Sequence, residues 1–356
     1  MQELNISFNH MKHLLITLLL TTTFCCFFTF QSSSQSPVKV VKIKDQKKID
    51  VFIGNKLFTS FLYPDTLEKP VLYPILTSNG KAVTRGFPLN TQQDDPTDHP
   101  HHLGLWFNFE NVNGLDFWNN SFAIPSEKKH LYGWIKTNPD IHIKSGKQGE
   151  IQYSANWTSQ DNHIILKETT TYSFKSINNH SVIDRKTTLQ ADTNVLFKDS
   201  KDGMLGLRVA HQLQMPIYKE QRFSDDKGNI TVVKPDFTIP TGNYITNENK
   251  TGNDAWGTRG KWCKLYGKMG NDSVSIVMID HPQNPNYPTF WFTRGYGLFA
   301  ANPLGERIFT NGASAKNLQL KKGESVTFQY RIVIDNNKQS ISGSEIENLV
   351  KDFHKE

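Results

Sequence analysis

Cysteine is nearly absent from this chain: Cys25, Cys26 and Cys263 are the only three in 356 residues. A disulfide-built scaffold is therefore excluded, and a packed core must carry stability. Fixed periods are also missing, since the 23 Gly and 16 Pro recur at no constant spacing, which rules out collagen-like and long coiled-coil architectures. Charge of one sign is not concentrated either. The 40 basic and 34 acidic residues leave a net charge of +6, with lysines scattered in pairs such as Lys47-Lys48, Lys128-Lys129 and Lys321-Lys322. Without a dense basic stripe, no nucleic-acid partner is expected. After residue 30 no apolar run reaches spanning length, which excludes a multi-span membrane protein. Aromatics are abundant instead, with 7 Trp, 11 Tyr and 23 Phe in a chain that is 37% hydrophobic. That composition describes a loop-rich globular protein with a large core.

The N-terminus reads as a targeting segment. Met11-Lys12-His13 precedes the uncharged apolar run Leu14–Phe30, and the polar stretch Gln31–Ser36 follows. This is the layout of a secretory signal, which places the protein in the periplasm or outer envelope. The run is also close to the lower limit for a spanning helix, so an uncleaved N-terminal membrane anchor is the alternative. Neither Cys25 nor Cys26 follows a small residue, so lipidation is not expected. We assign residues 1–36 to the signal and 37–356 to one domain, whose single thiol, Cys263, cannot form an internal disulfide.

Within that domain the dominant period is two. Ile151, Tyr153, Ala155 and Trp157 share one face of the stretch Glu150–Trp157, and Val326, Phe328, Tyr330, Ile332 and Ile334 alternate likewise. Both patterns predict half-buried antiparallel strands. Further strands are expected at Ile49–Ile53, Leu57–Tyr63, His163–Phe174, Leu205–Leu213, Val274–Ile279, Phe290–Thr293 and Gly297–Ala301, separated by Gly, Asn, Asp and Pro clusters. The sum is an all-β fold, a large antiparallel β-sandwich. One helix is predicted at the C-terminus, where Ser342 and Glu345 form a capping box and Ile346, Leu349, Val350 and Phe353 repeat at helical spacing.

Three segments concentrate chemistry. The first, Asp98-His99-Pro100-His101-His102, sets three imidazoles beside a carboxylate and leads into Trp106, Asp116 and Trp118. These imidazoles suit general acid/base work or ligation of a divalent metal. In an extended strand His99 and His101 point one way and His102 the other, whereas Pro100 suggests a turn or edge, so at most two are expected to converge. The second segment, Arg208–Leu213, places His211 on the strand face of Val209 and Leu213. The third runs from Trp256 through Asp280-His281-Pro282 to Trp291, Phe292, Arg294, Tyr296 and Asn302. Trp, Arg and Asn in loops suit a sugar-binding groove, aromatic faces stacking on the ring and forked polar groups reading hydroxyls. For each tryptophan alone, a place in the core is the simpler reading.

Taken in order, Asp98-His99-Pro100-His101-His102 with Gly104-Leu105-Trp106, Val112-Asn113-Gly114 with Asp116-Phe117-Trp118, Trp256-Gly257, Asp280-His281-Pro282 with Asn284-Pro285, and the run Tyr296–Pro303 resemble a bacterial domain family of unknown function called PmoA-like or "methane oxygenase". The resemblance spans residues 50–335. Leu103 stands where that pattern has a basic residue and Phe292 where it has a histidine, which puts a histidine-dependent activity in doubt at the second position. Methane oxidation is excluded, because a membrane monooxygenase subunit needs several spanning helices. What the resemblance implies is a galactose-mutarotase-like sandwich with a role in carbohydrate catabolism.

The leading expectation is an exported hydrolase, lyase or epimerase acting on a sugar or oxidised glycoside. His101, His102 and His211 are its candidate catalytic groups; Arg208, Arg294, Asn302 and Asp116 would hold substrate, with Trp106 or Trp291 stacking on it. A divalent metal on His99, His101 and His211 is an option that spacing alone leaves open. The alternatives are a non-catalytic glycan-binding protein of the bacterial envelope and a purely structural envelope protein.

Overall fold

Strands in this chain form where apolar side chains alternate, and the two largest sheets use that alternation to bury three separate apolar layers. A computed structural model describes residues 36–224, 230–337 and 339–356. The expected signal segment, Cys25 and Cys26 included, lies outside the described residues but for Ser36. Among the described residues no helix is long and apolar enough to cross a membrane.

An eight-stranded antiparallel sheet runs in spatial order Val38–Lys42, Lys48–Ile53, Lys56–Leu62, Val71–Ile75, Leu105–Phe109, Gly203–Arg208, Leu298–Asn302 and Phe290–Thr293. A nine-stranded sheet runs Asn243–Thr246, Trp262–Met269, Asp272–Asp280, Ser325–Asp335, His180–Ala191, Ile164–Ile177, Gly149–Thr158 and Trp134–Thr137, with His142–Lys144 also paired to Gly149–Thr158. The protein is thus an antiparallel β-sandwich with a C-terminal helix. Between the sheets, Leu105, Phe107 and Phe109 face Tyr153, Trp157, Phe328 and Tyr330, and the Phe107 ring lies 5.6 Å from Phe328 and 6.4 Å from Trp157.

Each sheet has a second apolar face. On the nine-stranded sheet the helix Gly343–Phe353 covers Val182, Val277, Ile279 and Val333 with Ile346, Leu349, Val350 and Phe353. Its capping box is complete: the Ser342 hydroxyl accepts from the Glu345 N–H, and the Glu345 carboxylate accepts from the Ser342 N–H. Arg331, buried on that face, donates to both oxygens of Asp184 (2.6 and 2.9 Å) and to Asp352 and Glu356 (3.0 Å each), fastening the helix to the sheet. On the eight-stranded sheet the outer face carries Val71, Tyr73, Leu103, Trp106, Trp118, Phe292, Tyr296 and Leu298. This is the face that holds the candidate site.

The expected strands are present, with one correction. Gly203–Arg208 ends before His211, and Leu213 and Gln214 close a 3-10 turn by donating to the carbonyls of Ala210 (2.9 Å) and His211 (3.0 Å). His211 therefore leaves the strand and enters a loop.

A charged pair is sealed in the core behind the site. Glu168 accepts from Tyr153 Oη (2.9 Å), Trp157 Nε1 (2.7 Å), Thr170 Oγ1 (2.6 Å) and Arg185 Nη2 (2.8 Å), while the Arg185 guanidinium lies 4.6 Å from the Phe107 ring. Removing one partner of such a pair leaves the other charge stranded, whereas removing both is far milder. Glu168→Ala is expected to lower the unfolding free energy by ~3–5 kcal/mol in urea titration. Glu168→Ala with Arg185→Met should recover a large part of that loss, and equal midpoints for single and double variants would refute the assignment.

Candidate functional site

The site is organised by two arginines from neighbouring segments. Residues 83–85 lie beside Arg208–Ala210, with Arg85 N–H donating to Arg208 O (3.1 Å) and Ala210 N–H to Val83 O (2.8 Å). Both guanidiniums are fully buried. Arg85 fans out to four loop carbonyls, those of Pro96 (3.0 Å), Asp98 (2.7 Å), His99 (2.9 Å) and His102 (3.3 Å). Arg208 Nη2 takes both oxygens of Asp98, at 2.8 and 2.9 Å. Burial pushes the Asp98 carboxyl up, but Arg208, the His99 hydrogen bond and Arg85 outweigh it and hold it well below the usual carboxylate range.

This clamp shapes the histidine loop into a turn. His99 adopts φ +46°, and the His102 N–H donates to His99 O at 3.0 Å. Pro100 suggests such a turn, but the expectation that at most two imidazoles converge is corrected, because all three meet. His99 and His102 stack in parallel at 4.7 Å, and His101 stands edge-on to both, at 5.6 and 4.3 Å. Tyr296 stacks on His99 (4.7 Å) and lies 6.5 Å from His102, and Trp106 stacks on His102 (5.1 Å), giving a bent column of four rings. Tyr296 is presented by the turn Arg294–Gly297, closed by Gly297 N–H to Arg294 O (2.9 Å), with Gly297 at φ +91°. Trp106 lies flat because Gly206 faces it across the sheet. A Cβ there would sit 2.4 Å from the Trp106 ring and 2.8 Å from Trp118.

Hydrogen bonding assigns the protons. Arginine only donates, so the contact of Arg208 Nη1 with His102 Nδ1 (3.2 Å) makes that nitrogen an acceptor and puts the proton on Nε2. Carboxylate only accepts, so His99, bonded through Nδ1 to Asp98, carries its proton on Nδ1. His101, half-buried, makes no side-chain hydrogen bond among the described residues. Burial, His99, Lys69 and the two arginines keep its pKa well below the ordinary imidazole value, so it is neutral and free to exchange a proton.

The other expected residues separate. His211 lines a cleft of about 450 Å³ with Asp98, Tyr296, Gln214, Ile217 and Asp236. Its Nε2 is bonded to the Asp236 carboxylate, while its buried Nδ1 has no partner. Arg294 lies 4.9 Å over the Trp256 ring and beside Tyr296. Phe292 packs on Phe309 and Arg294 in the apolar layer, and Leu103 belongs to the same layer. Asp116 caps a turn by accepting from the Asn119 backbone (2.9 Å) and side chain (3.0 Å). Two residues are placed elsewhere. Trp291 is buried between the sheets, where no ring can stack on it from solvent, and Asn302 staples its loop to Ser200 O, Lys201 O and Leu304 N.

Among the described residues no three His, Cys, Asp or Glu side chains are grouped to hold a metal ion. His99, His101 and His211 accordingly form no such group, His211 lying apart on the wall of the cleft. Sequence reasoning missed Arg85, Asp236 and Lys69, and it named Tyr296 without giving it a role. Only the Tyr296 turn carried a local signal, the sequence Arg294-Gly295-Tyr296-Gly297.

Fold and site together define an all-β sandwich with a histidine-rich cluster on the outer face of one sheet. The chain belongs to the family of unknown function DUF6807, which matches residues 48–351. No curated protein matches it. Among solved structures it is similar to the GH36 alpha-galactosidase AgaB from Geobacillus stearothermophilus, at 10% identity and a TM-score of 0.39, covering 84% of this chain and 41% of that one. It is also similar to the Slr1438 protein from Synechocystis sp. PCC 6803, at 6% identity and a TM-score of 0.35, covering 84% and 96%. The chain thus spans about two fifths of the galactosidase.

Gly206→Ala tests the column. The added methyl must displace Trp106 and with it His102, at a cost of about 1–3 kcal/mol. The expected result is a lower melting temperature together with altered titration shifts of the His102 ring in NMR spectra; an unmoved His102 signal would show that the column does not depend on this contact.

Proposed function

We propose that the protein is an exported carbohydrate-active enzyme, a hydrolase, lyase or epimerase, with His101 as its proton-transfer group. The observation that carries this reading is the difference among three adjacent imidazoles. His99 and His102 are fixed by Asp98 and Arg208, whereas His101 is neutral and unbonded. A base held in place by rigid neighbours with a free nitrogen is what proton abstraction or leaving-group protonation requires. On the neighbouring cleft wall, His211 oriented by Asp236 supplies a second imidazole with one free nitrogen. The cleft of about 450 Å³ is lined by the Tyr296 ring together with Gln214, Asp236 and His211, and this suits a sugar, whose C–H faces and hydroxyls need both kinds of partner. The PmoA-like kinship and export through residues 1–36 belong to the same proposal, without the methane chemistry that the label suggests.

The test is incubation of the purified protein with a panel of glycosides and oxidised glycosides, with and without added divalent metal, products being followed by NMR. His101→Ala is expected to cut kcat by about 10²- to 10⁴-fold while binding measured by calorimetry changes little. Because its neutral form is favoured, the acid limb of the kcat/KM profile should lie below the ordinary imidazole pKa of about 6.5. A His101→Ala variant that turns over at the wild-type rate would refute this role. Binding without turnover of any panel member would favour the glycan-binding reading.

A further inference from the structure

Lys69 is the charged residue of this region that the proposed function does not yet use. It lies in the bend before the strand Val71–Ile75, and its ammonium reaches the outer layer of that sheet beside Trp106 and Trp118. It is 1% exposed. Its ammonium has one acceptor, the Trp118 carbonyl at 3.3 Å, and lies 5.6 Å from the Trp106 ring on which His102 stacks. Among the described residues it makes no ion pair within 4 Å. Neighbouring carboxylates are engaged by other groups: Glu68 pairs with Lys129 (3.4 Å), and Asp116 accepts twice from Asn119.

Burial therefore leaves an ammonium with three donors, one long hydrogen bond and no carboxylate within ion-pair distance among the described residues. The buried guanidiniums differ in being ion-paired, Arg85 and Arg208 with Asp98 and Arg185 with Glu168, although the Nε of each has no partner. Buried charges are ordinarily paired, so unmet donors beside a free base point to an oxygen that a ligand brings.

We propose that Lys69 is the electrophilic partner of His101, and that the two act on a carbon adjacent to a carbonyl or carboxylate group of an oxidised sugar. This rests on the reading that a sugar binds at the histidine cluster. The unprotonated His101 nitrogen takes the proton from that carbon. The C–H electron pair becomes the C=C bond of an enolate, the C=O π pair moves onto oxygen, and a Lys69 N–H donates a hydrogen bond to that oxygen. Reprotonation of the carbon regenerates the carbonyl compound, on the same face or, in an epimerisation, on the opposite one. No oxidant, reductant or co-reactant is needed. Burial, against the fields of Glu68 and Asp116, lowers the Lys69 pKa to about 8, which makes the ammonium a stronger hydrogen-bond donor toward a developing oxyanion.

The experiment is NMR-detected uptake of deuterium from heavy water by three probes: a methyl 3-ketohexoside, a methyl hexuronide and the parent methyl hexoside. Exchange is expected at the carbon next to the carbonyl or carboxylate group and not in the parent, and whichever oxidised probe exchanges identifies the source of the acidic C–H. Lys69→Met should slow exchange on the order of 10²-fold or more with a smaller change in KM, and Lys69→Arg should restore part of it. Wild-type exchange at the same rate in Lys69→Met overturns the assignment. If the buried substitution fails to fold, the wild-type protein decides alone: binding of the parent hexoside with no exchange in either oxidised probe overturns the inference and leaves the proposed function standing. Absence of binding by every probe overturns both.

Discussion

One carboxylate holds the outer face of this sandwich together. Asp98 sits between two buried guanidiniums, and that contact closes a gap of 110 residues between the histidine loop and the strand bearing Arg208. A buried ion in this position is stable only when its whole hydrogen-bonding capacity is used, and here it is: Arg208 binds both oxygens, His99 one, and Arg85 one. Asp98 fixes the proton of His99 on Nδ1, and the Arg208 that it holds in place fixes that of His102 on Nε2. Structure and proton inventory are therefore set by one interaction.

The sheet beneath makes the arrangement possible by having two different faces. Along Leu105–Phe109 the side chains of residues 105, 107 and 109 enter the inter-sheet core, while Trp106 supports the histidines on the other side. The opposing position is Gly206, and its missing side chain is the space that the indole fills. Behind the same strand Arg185 packs on Phe107 and is held by Glu168. A polar cluster in the core and a ring column outside thus grip one short strand from both sides.

Much of the fold was legible because amphipathic alternation is a local property. Phe290–Thr293 matches its expected bounds, and the Ser342–Glu345 capping box is present with each expected apolar residue buried. Leu105–Phe109 was not legible as a strand because all five of its residues are buried, which erases the alternation. The reading of the site was mixed for a related reason. The histidine cluster announced itself by composition, but its geometry depends on a left-handed backbone at His99 and on Arg85, neither of which leaves a local mark. Trp291 and Asn302 had the right chemistry for a ligand site, and topology gave them structural tasks instead.

The ring column has a temporal consequence. Its members come from residues 99, 102, 106 and 296, and its clamp adds 85 and 208. Such distant pairings form late and slowly, because each closes a long loop before any contact repays it. The column cannot exist on a nascent chain that has not yet reached Tyr296, nor on an excised fragment carrying the histidine loop alone. The histidines consequently acquire their distinct proton states only once most of the sandwich has been assembled, so an incompletely folded chain lacks the arrangement proposed to do the chemistry.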